Sequence, residues 1–330
     1  LAKSASERPA SAREALELIE QGGRTLARFP ERLLGWLGRH RRERPNPEAR
    51  TPVEIEDLHL GFSRRKKVLK GLSLRVQRGE RVALLGRNGC GKTTLIRCLT
   101  GIYAPDKGSV TLLGSQQADR EELNRFVGYI PETPLAYPFL RIGAYLKHLS
   151  QLYPEWDSRF ALDMLNLFRL DPDDKIGTLS RGSRTMVSVV AALGHKPPVL
   201  LFDDPTLGLD AFWVEEFLKT VSSLTAARET TVVFTTHNFD AVDVLADRIG
   251  FLDEGLIRKE VPAGDVGRRF RTVMVVLPTD DEPKDLPREF SLLERRNRTL
   301  RGVFEVQGRS PSAAFAPLHP ASLEESPAPL

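Results

Sequence analysis

The segment ALLGRNGCGKTTLIRCL sets Gly86, Gly91, Lys92 and Thr93 in the register G-x-x-x-x-G-K-[ST], after a short apolar run and ahead of a helical pattern. That context and spacing suit an anion built of several phosphates. Glycines let the stretch from Gly86 to Gly91, with Arg87, Asn88, Gly89 and Cys90 between them, curl so that successive N–H groups point inward. The following helix, which Thr94 helps to open, turns its positive end to the same charge. Lys92 is then the cation for the β and γ phosphates, and the Thr93 hydroxyl joins a Mg²⁺ shell. Cys90 reads as a small residue tolerated in the loop, placed so that modifying its thiol would block nucleotide binding. A second segment, LLFDDPTLGLD at 200–210, ends an apolar run on two carboxylates. Asp203 would hold Mg²⁺, and Asp204 would orient or deprotonate an attacking water. On strand sequence alone such a pair is often a turn or N-cap signal; beside a phosphate loop the functional reading is the stronger.

Both segments need a scaffold that ends strands at one place. VEIEDLHL and VLKGLSLRV alternate in polarity, and ERVALL is a short apolar run, which predicts an antiparallel strand group ahead of a buried strand. VTLL, VGYI, VLLF, TVVFTT and RIGFL then alternate with helical stretches, as in a parallel sheet covered by helices. Residues from about 134 to 182 carry helical patterns without a strong strand. The expected class is therefore α/β: a phosphate-loop NTPase core, mostly parallel, with an antiparallel β subdomain and an inserted helical subdomain. The predicted boundaries are an arm at 1–52, a phosphate-loop domain at 53–263 and an appendage at 264–330. In the last, RTVMVVLP and GVFEVQG read as strands, and SPSAAFAPLHPASLEESPAPL reads as a disordered tail.

Composition narrows the class further. With 330 residues and 41% hydrophobic content the chain can build a sizeable core. No run of about 18 apolar residues is present, so no span of a membrane is expected. The polar start LAKSASERPASARE predicts no secretory leader, and a first residue other than Met suggests a trimmed or partial start. Two cysteines fit a reducing compartment. The net charge of +4 equals the excess of eleven Lys and Arg over seven Glu in residues 1–52, which leaves the remainder balanced and argues against nucleic-acid binding. That arm predicts two short helices. Leu33, Leu34, Trp36 and Leu37 beside Arg39, Arg41, Arg42 and Arg44 suit either an anionic membrane surface or, preferred, docking on protein.

The ordered segments GRNGCGKTT, VGYIPE, LSRGS, VLLFDDPTLGLDA and VVFTTHN, between about Val53 and Val261, resemble the ATP-binding cassette ATPases. The resemblance implies a head-to-tail dimer in which ATP on one phosphate loop is completed by the partner's signature motif. It gives Ser180 and Gly182 as γ-phosphate contacts in trans, Asp210 as the aspartate that communicates between the two sites, and His237 as the γ-phosphate switch. Phe62 is the candidate for stacking on adenine, although a core Phe is a comparable reading. Three positions depart from the pattern. Glu132 stands where glutamine is expected and would still approach Mg²⁺; LSRGS replaces LSGGQ; and Asp204 replaces the catalytic glutamate.

The implied protein is the separate ATP-binding subunit of an ABC transporter of the bacterial export (ABC-2-like) branch. Its cofactors are ATP and Mg²⁺, and its partners a second ATPase subunit and an integral-membrane permease docked near Tyr137 and Phe139, although subdomain core is an equal reading of those two aromatics. It would sit at the cytoplasmic face of the plasma membrane. Two alternatives stand beside this reading: a soluble cassette acting on ribosomes or DNA, and a weakly hydrolysing regulatory cassette in a heterodimer.

Overall fold

The computed structural model describes residues 45–63, 66–116, 120–133, 137–236, 239–265, 269–280, 283, 286–306 and 309–327. The helices expected before residue 45 lie outside the described residues. Strands β1 (Val53–Ser63) and β2 (Lys66–Val76) pair antiparallel from Val53↔Val76 to Ser63↔Lys66. Their alternating Val53, Ile55, Leu72, Leu74 and Val76 are buried, as a half-solvated sheet requires. β3 (Arg81–Leu85) opens a second sheet and leads through the glycine-rich loop into α1 (Lys92–Leu99). β4 (Lys107–Leu112) and β5 (Ser115–Gln116) return to the first sheet, whose order is β2-β1-β4-β5.

That return corrects one expectation. VTLL does not belong to the parallel sheet: its first three residues close β4, which runs antiparallel to β1. Buried Val110 and Leu112 alternate with half-buried Ser109 and Thr111, the pattern of a strand with one wet face. Strands of the parallel sheet are apolar on both faces instead.

After α2 (Arg120–Leu123) and β6 (Val127–Ile130), the chain runs through α3 (Ile142–Leu152), α4 (Ser158–Leu167) and α5 (Arg181–Leu193). It then completes the second sheet with β7 (Val199–Asp203), α6 (Ala211–Arg228), β8 (Thr231–Thr236), α7 (Phe239–Leu245), β9 (Arg248–Asp253) and β10 (Leu256–Pro262). The order is β10-β9-β3-β8-β7-β6, parallel from β9 to β6 with β10 antiparallel at the edge. Every residue of β7 and β8 is buried. Period-2 geometry sends Leu200 and Phe202 into one core and Val199 and Leu201 into the other. Because β3, β8 and β7 are neighbours, their carboxyl ends open at a common edge, where ligands of such sheets bind. The β9–β10 turn, Glu254-Gly255, has positive φ at both residues (46° and 79°), the two-residue form that suits the twist of a hairpin.

The C-terminal appendage is an antiparallel sheet of β11 (Phe270–Val276), β12 (Phe290–Arg296), β13 (Thr299–Glu305) and β14 (Ser322–Pro327), in the order β12-β13-β11-β14, with the short α8 (Pro311–Phe315). Here the expected disordered tail is folded. Ser310 caps α8 by accepting from the Ala313 N–H, and Pro311 suits the first helical turn. Phe315 is fully buried, edge-on to Phe290 at 4.9 Å. One well-placed aromatic outweighs the low-complexity composition that surrounds it. Phe270 stacks on Phe251 of β9 at 5.4 Å, and buried Glu305 accepts from both Arg269 and Lys259 of β10.

His195 follows α5 and is 4% exposed, with its ring stacked 4.2 Å from that of Tyr153. Burial pushes its pKa from 6.5 down to about 4. The unfolded chain therefore takes up the proton first, and this contribution to stability is present above about pH 6.5 and lost as pH falls toward 4. The loss amounts to about 3 kcal/mol. Urea unfolding from pH 7 to pH 4.5 should show the wild-type chain losing stability by that order relative to His195→Phe, which carries no titrating ring there.

Candidate nucleotide-binding site

The glycine-rich loop closes because its backbone packs where side chains would not fit. A Cβ on Gly86 would stand 2.2 Å from the Leu252 carbonyl oxygen and 2.7 Å from Cys90 Sγ. Gly91 enters α1 at φ 113°, a conformation that favours glycine. Cys90 N donates to Arg87 O (3.2 Å), and Gly255 N of the β9–β10 turn donates to Cys90 O (3.1 Å). Burial raises the Cys90 thiol above its ordinary pKa, so it packs here as a neutral group. The Lys92 ammonium donates to the carbonyls of Gly86 (2.6 Å) and Arg87 (3.2 Å), which holds the cation over the loop.

A cleft of about 430 Å³ opens above this loop. Asn88, Gly89, Gly91, Lys92, Thr93 and Thr94 of the loop and its helix line it, together with Phe62, Glu132, Asp203 and Asp204. Phe62 is 55% exposed and meets Tyr103 edge-on at 5.4 Å, so the core reading of this residue does not hold. Lys66, Val68 and Leu207 also line the cleft and carried no motif by which sequence reasoning would have found them.

Asp203 ends β7 and is 2% exposed, with Oδ1 accepting from Thr93 Oγ1 (3.0 Å) and Thr235 Oγ1 (3.1 Å). Burial pushes its carboxyl up from the usual range, and the two hydroxyl bonds pull it back. Asp204 follows at φ 46°, 8% exposed, in a left-handed conformation that Asp tolerates better than most residues. Its N–H donates to the Thr235 carbonyl (3.1 Å) and hydroxyl (3.0 Å). Thr235 thus holds the Asp203 carboxylate and the Asp204 backbone, a role that sequence reasoning did not single out although the paired threonines after VVF were in view.

Hard oxygen donors suit Mg²⁺, which takes one or two carboxylates and completes its shell with water and phosphate. Among the described residues no group of three or more His, Cys, Asp or Glu forms a metal cage. Thr93 and Asp203, with Glu132 lining the same cleft, match the sparser arrangement.

Other expected residues lie elsewhere in the chain. Ser180 caps α5, accepting from Ser183 N at 3.1 Å, and Asp210 caps α6, accepting from Trp213 N at 3.1 Å. Neither lines the cleft, nor do Gly86, Arg87, Cys90 and Gly182. Gly182 packs flat under Trp213, where a Cβ would meet the indole at 2.4 Å. Arg181 of the signature lies against Gly208, its guanidinium carbon 3.1 Å from where a Cβ would be, and reaches toward the Glu132 carbonyl at 3.5 Å. His237 lies outside the described residues. Gly182→Ala should lower stability by roughly 1–3 kcal/mol through overpacking against Trp213, read as a reduced melting temperature.

The ABC transporter family profile matches residues 69–207. The chain is 35% identical over 199 residues to the uncharacterized ABC transporter ATP-binding protein YdbJ of Bacillus subtilis, covering 59% of this chain and 65% of YdbJ, so it spans just under two thirds of that protein's length. It is 33% identical over 199 residues to the SkfA peptide export ATP-binding protein SkfE of Bacillus subtilis, covering 58% of this chain and 81% of SkfE. A solved ATP binding subunit of an ABC transporter superposes with a TM-score of 0.60 and 29% identity, over 66% of this chain and 92% of that one. With the phosphate loop, the paired acidic strand end and these likenesses together, the chain belongs to the family of ABC transporter ATP-binding proteins.

Proposed function

We propose that this chain binds and hydrolyses ATP to energise a separate membrane permease, as one of two cassettes that close on nucleotide. The observation that carries the reading is one cleft lined by Lys92, Thr93, Asp203 and Asp204, with Thr235 bonded to the Asp203 carboxylate and to the Asp204 backbone N–H. Phe62 offers its exposed ring to the adenine. The loop N–H groups and Lys92 take the phosphates, and the partner's signature, through Ser180 and Gly182, closes over the terminal one. Free N–H groups at the start of α5 suit that anion. Mg²⁺, held by Thr93 and Asp203 with Glu132 near, would neutralise charge that develops on the phosphate oxygens. His237 aligns the attacking water with the terminal phosphate, and Asp204 accepts its proton.

Aspartate in place of glutamate shortens the base by one methylene, roughly 1 Å, and a misplacement of that size can cost about a hundredfold in rate. This favours a slow cassette, and it supports a second reading as the weaker member of a heterodimer. Turnover of the purified chain alone separates the two, because a homodimer hydrolyses without a second gene product.

No helix among the described residues is long and apolar enough to cross a membrane. The chain would reach the cytoplasmic face of the plasma membrane through its permease. Tyr137 and Phe139 stand exposed with ring centroids 5.8 Å apart, and they form the surface for a cytoplasmic helix of that permease. The wording of the motifs and the export-type name carried by SkfE support the export branch.

Asp204→Asn should lower phosphate release by about 10²- to 10⁴-fold while leaving binding of a fluorescent ATP analogue within about twofold. Turnover unchanged in that variant would assign the base elsewhere. Lys92→Ala should instead abolish analogue binding.

A further inference from the structure

Phe62 is largely exposed, so its ring cannot owe its orientation to core packing. What holds it is the turn that follows α1. Asp106 N donates to His59 O (2.8 Å), and Gly61 N donates to Asp106 Oδ2 (2.8 Å), so this turn is zipped to β1 immediately before Phe62. The same turn presents the half-buried Tyr103 edge-on to Phe62 with ring centroids 5.4 Å apart and planes at 78°. Edge-to-face geometry sets the positive rim of one ring on the negative face of the other and penalises rotation of either.

Tyr103 is in turn fixed by Arg97, in the last turn of the nucleotide-loop helix. Arg97 Nη1 donates to the Tyr103 hydroxyl (3.1 Å), the guanidinium lies 5.7 Å from the Tyr103 ring centre, and Tyr103 N donates to Arg97 O (3.0 Å). The Arg97 charge also favours the ionised forms of the Tyr129 phenol and the Asp203 carboxyl, though burial outweighs it at both. The helix that begins by presenting Lys92 and Thr93 to phosphate therefore ends by setting the angle of the aromatic platform.

We propose that Tyr103, anchored by Arg97, is a positioning residue that pre-orients Phe62 for the nucleobase and so determines how much of the affinity comes from the base and how much from the phosphates. This rests on the nucleotide reading of the cleft. A correctly aligned free ring loses less freedom when a base stacks on it, and pre-organisation of this kind raises affinity without a new contact.

Calorimetric titration of the full chain with AMP-PNP and with inorganic tripolyphosphate, each with Mg²⁺, tests it. Tyr103→Ala should weaken AMP-PNP binding by about two- to tenfold and leave tripolyphosphate binding unchanged. Tyr103→Phe, which keeps the ring and loses the Arg97 bond, should fall between. In the Phe62→Ala background, Tyr103→Ala should add nothing, because its effect passes through that ring. Equal weakening of both ligands, full additivity with Phe62→Ala, or no change in AMP-PNP affinity would each overturn the inference. Should wild-type chain bind neither ligand, the nucleotide reading itself fails, and this inference with it.

Discussion

One threonine hydroxyl sits at the centre of the chemistry. Thr235 accepts from the Asp204 N–H and donates to the Asp203 carboxylate, so a single oxygen fixes two consecutive acids that face the phosphate loop. It can do so because β7 and β8 are parallel neighbours in the register Asp203↔Thr235. A slip of one residue would turn Thr235 to the opposite face and leave the buried Asp203 carboxylate with one of its two hydroxyl donors, which is costly in a dry interior. The sheet register and the site are therefore one constraint, and the apolar runs VLLF and TVVF exist to enforce it.

From this constraint the division of labour among the layers follows. The parallel sheet, covered on both sides, is rigid enough to hold acids and hydroxyls within hydrogen-bond tolerance. The antiparallel sheet, wet on one face, carries Phe62 at the end of its long first strand, where a ring can meet a ligand. Helix α1 joins them, with Lys92 at one end and Arg97 near the other. The signature residues Ser180 and Gly182, and Asp210 of the GLD turn, serve local structure in their own chain, as caps and as a bed for Trp213. That agrees with the proposal that their ligand belongs to a second copy.

Much of this was legible in the residue order, for identifiable reasons. The phosphate loop and the acidic strand end were readable because their backbone demands select glycine at fixed spacings and because buried parallel strands are continuously apolar. VTLL was misplaced because a four-residue apolar run does not reveal its partner, and only pairing distinguishes the sheets. The tail was misjudged because composition averages over Phe315, whose burial joins the Ser310 cap and the pairing of β14 with β11 in ordering the segment. Phe62 could be core or platform until its exposure was known. Thr235 and Tyr103 were invisible as functional residues, since their importance comes from neighbours distant in the chain.

The β9–β10 hairpin touches both extremes of the molecule's chemistry. At its tight turn, Gly255 donates to the carbonyl of Cys90 in the phosphate loop. Further along, Lys259 binds Glu305 of the appendage, and Phe251 stacks on Phe270. These contacts join the appendage to the hairpin and the hairpin to the phosphate loop, so the C-terminal sheet and the phosphate cradle share one two-stranded element as a common support.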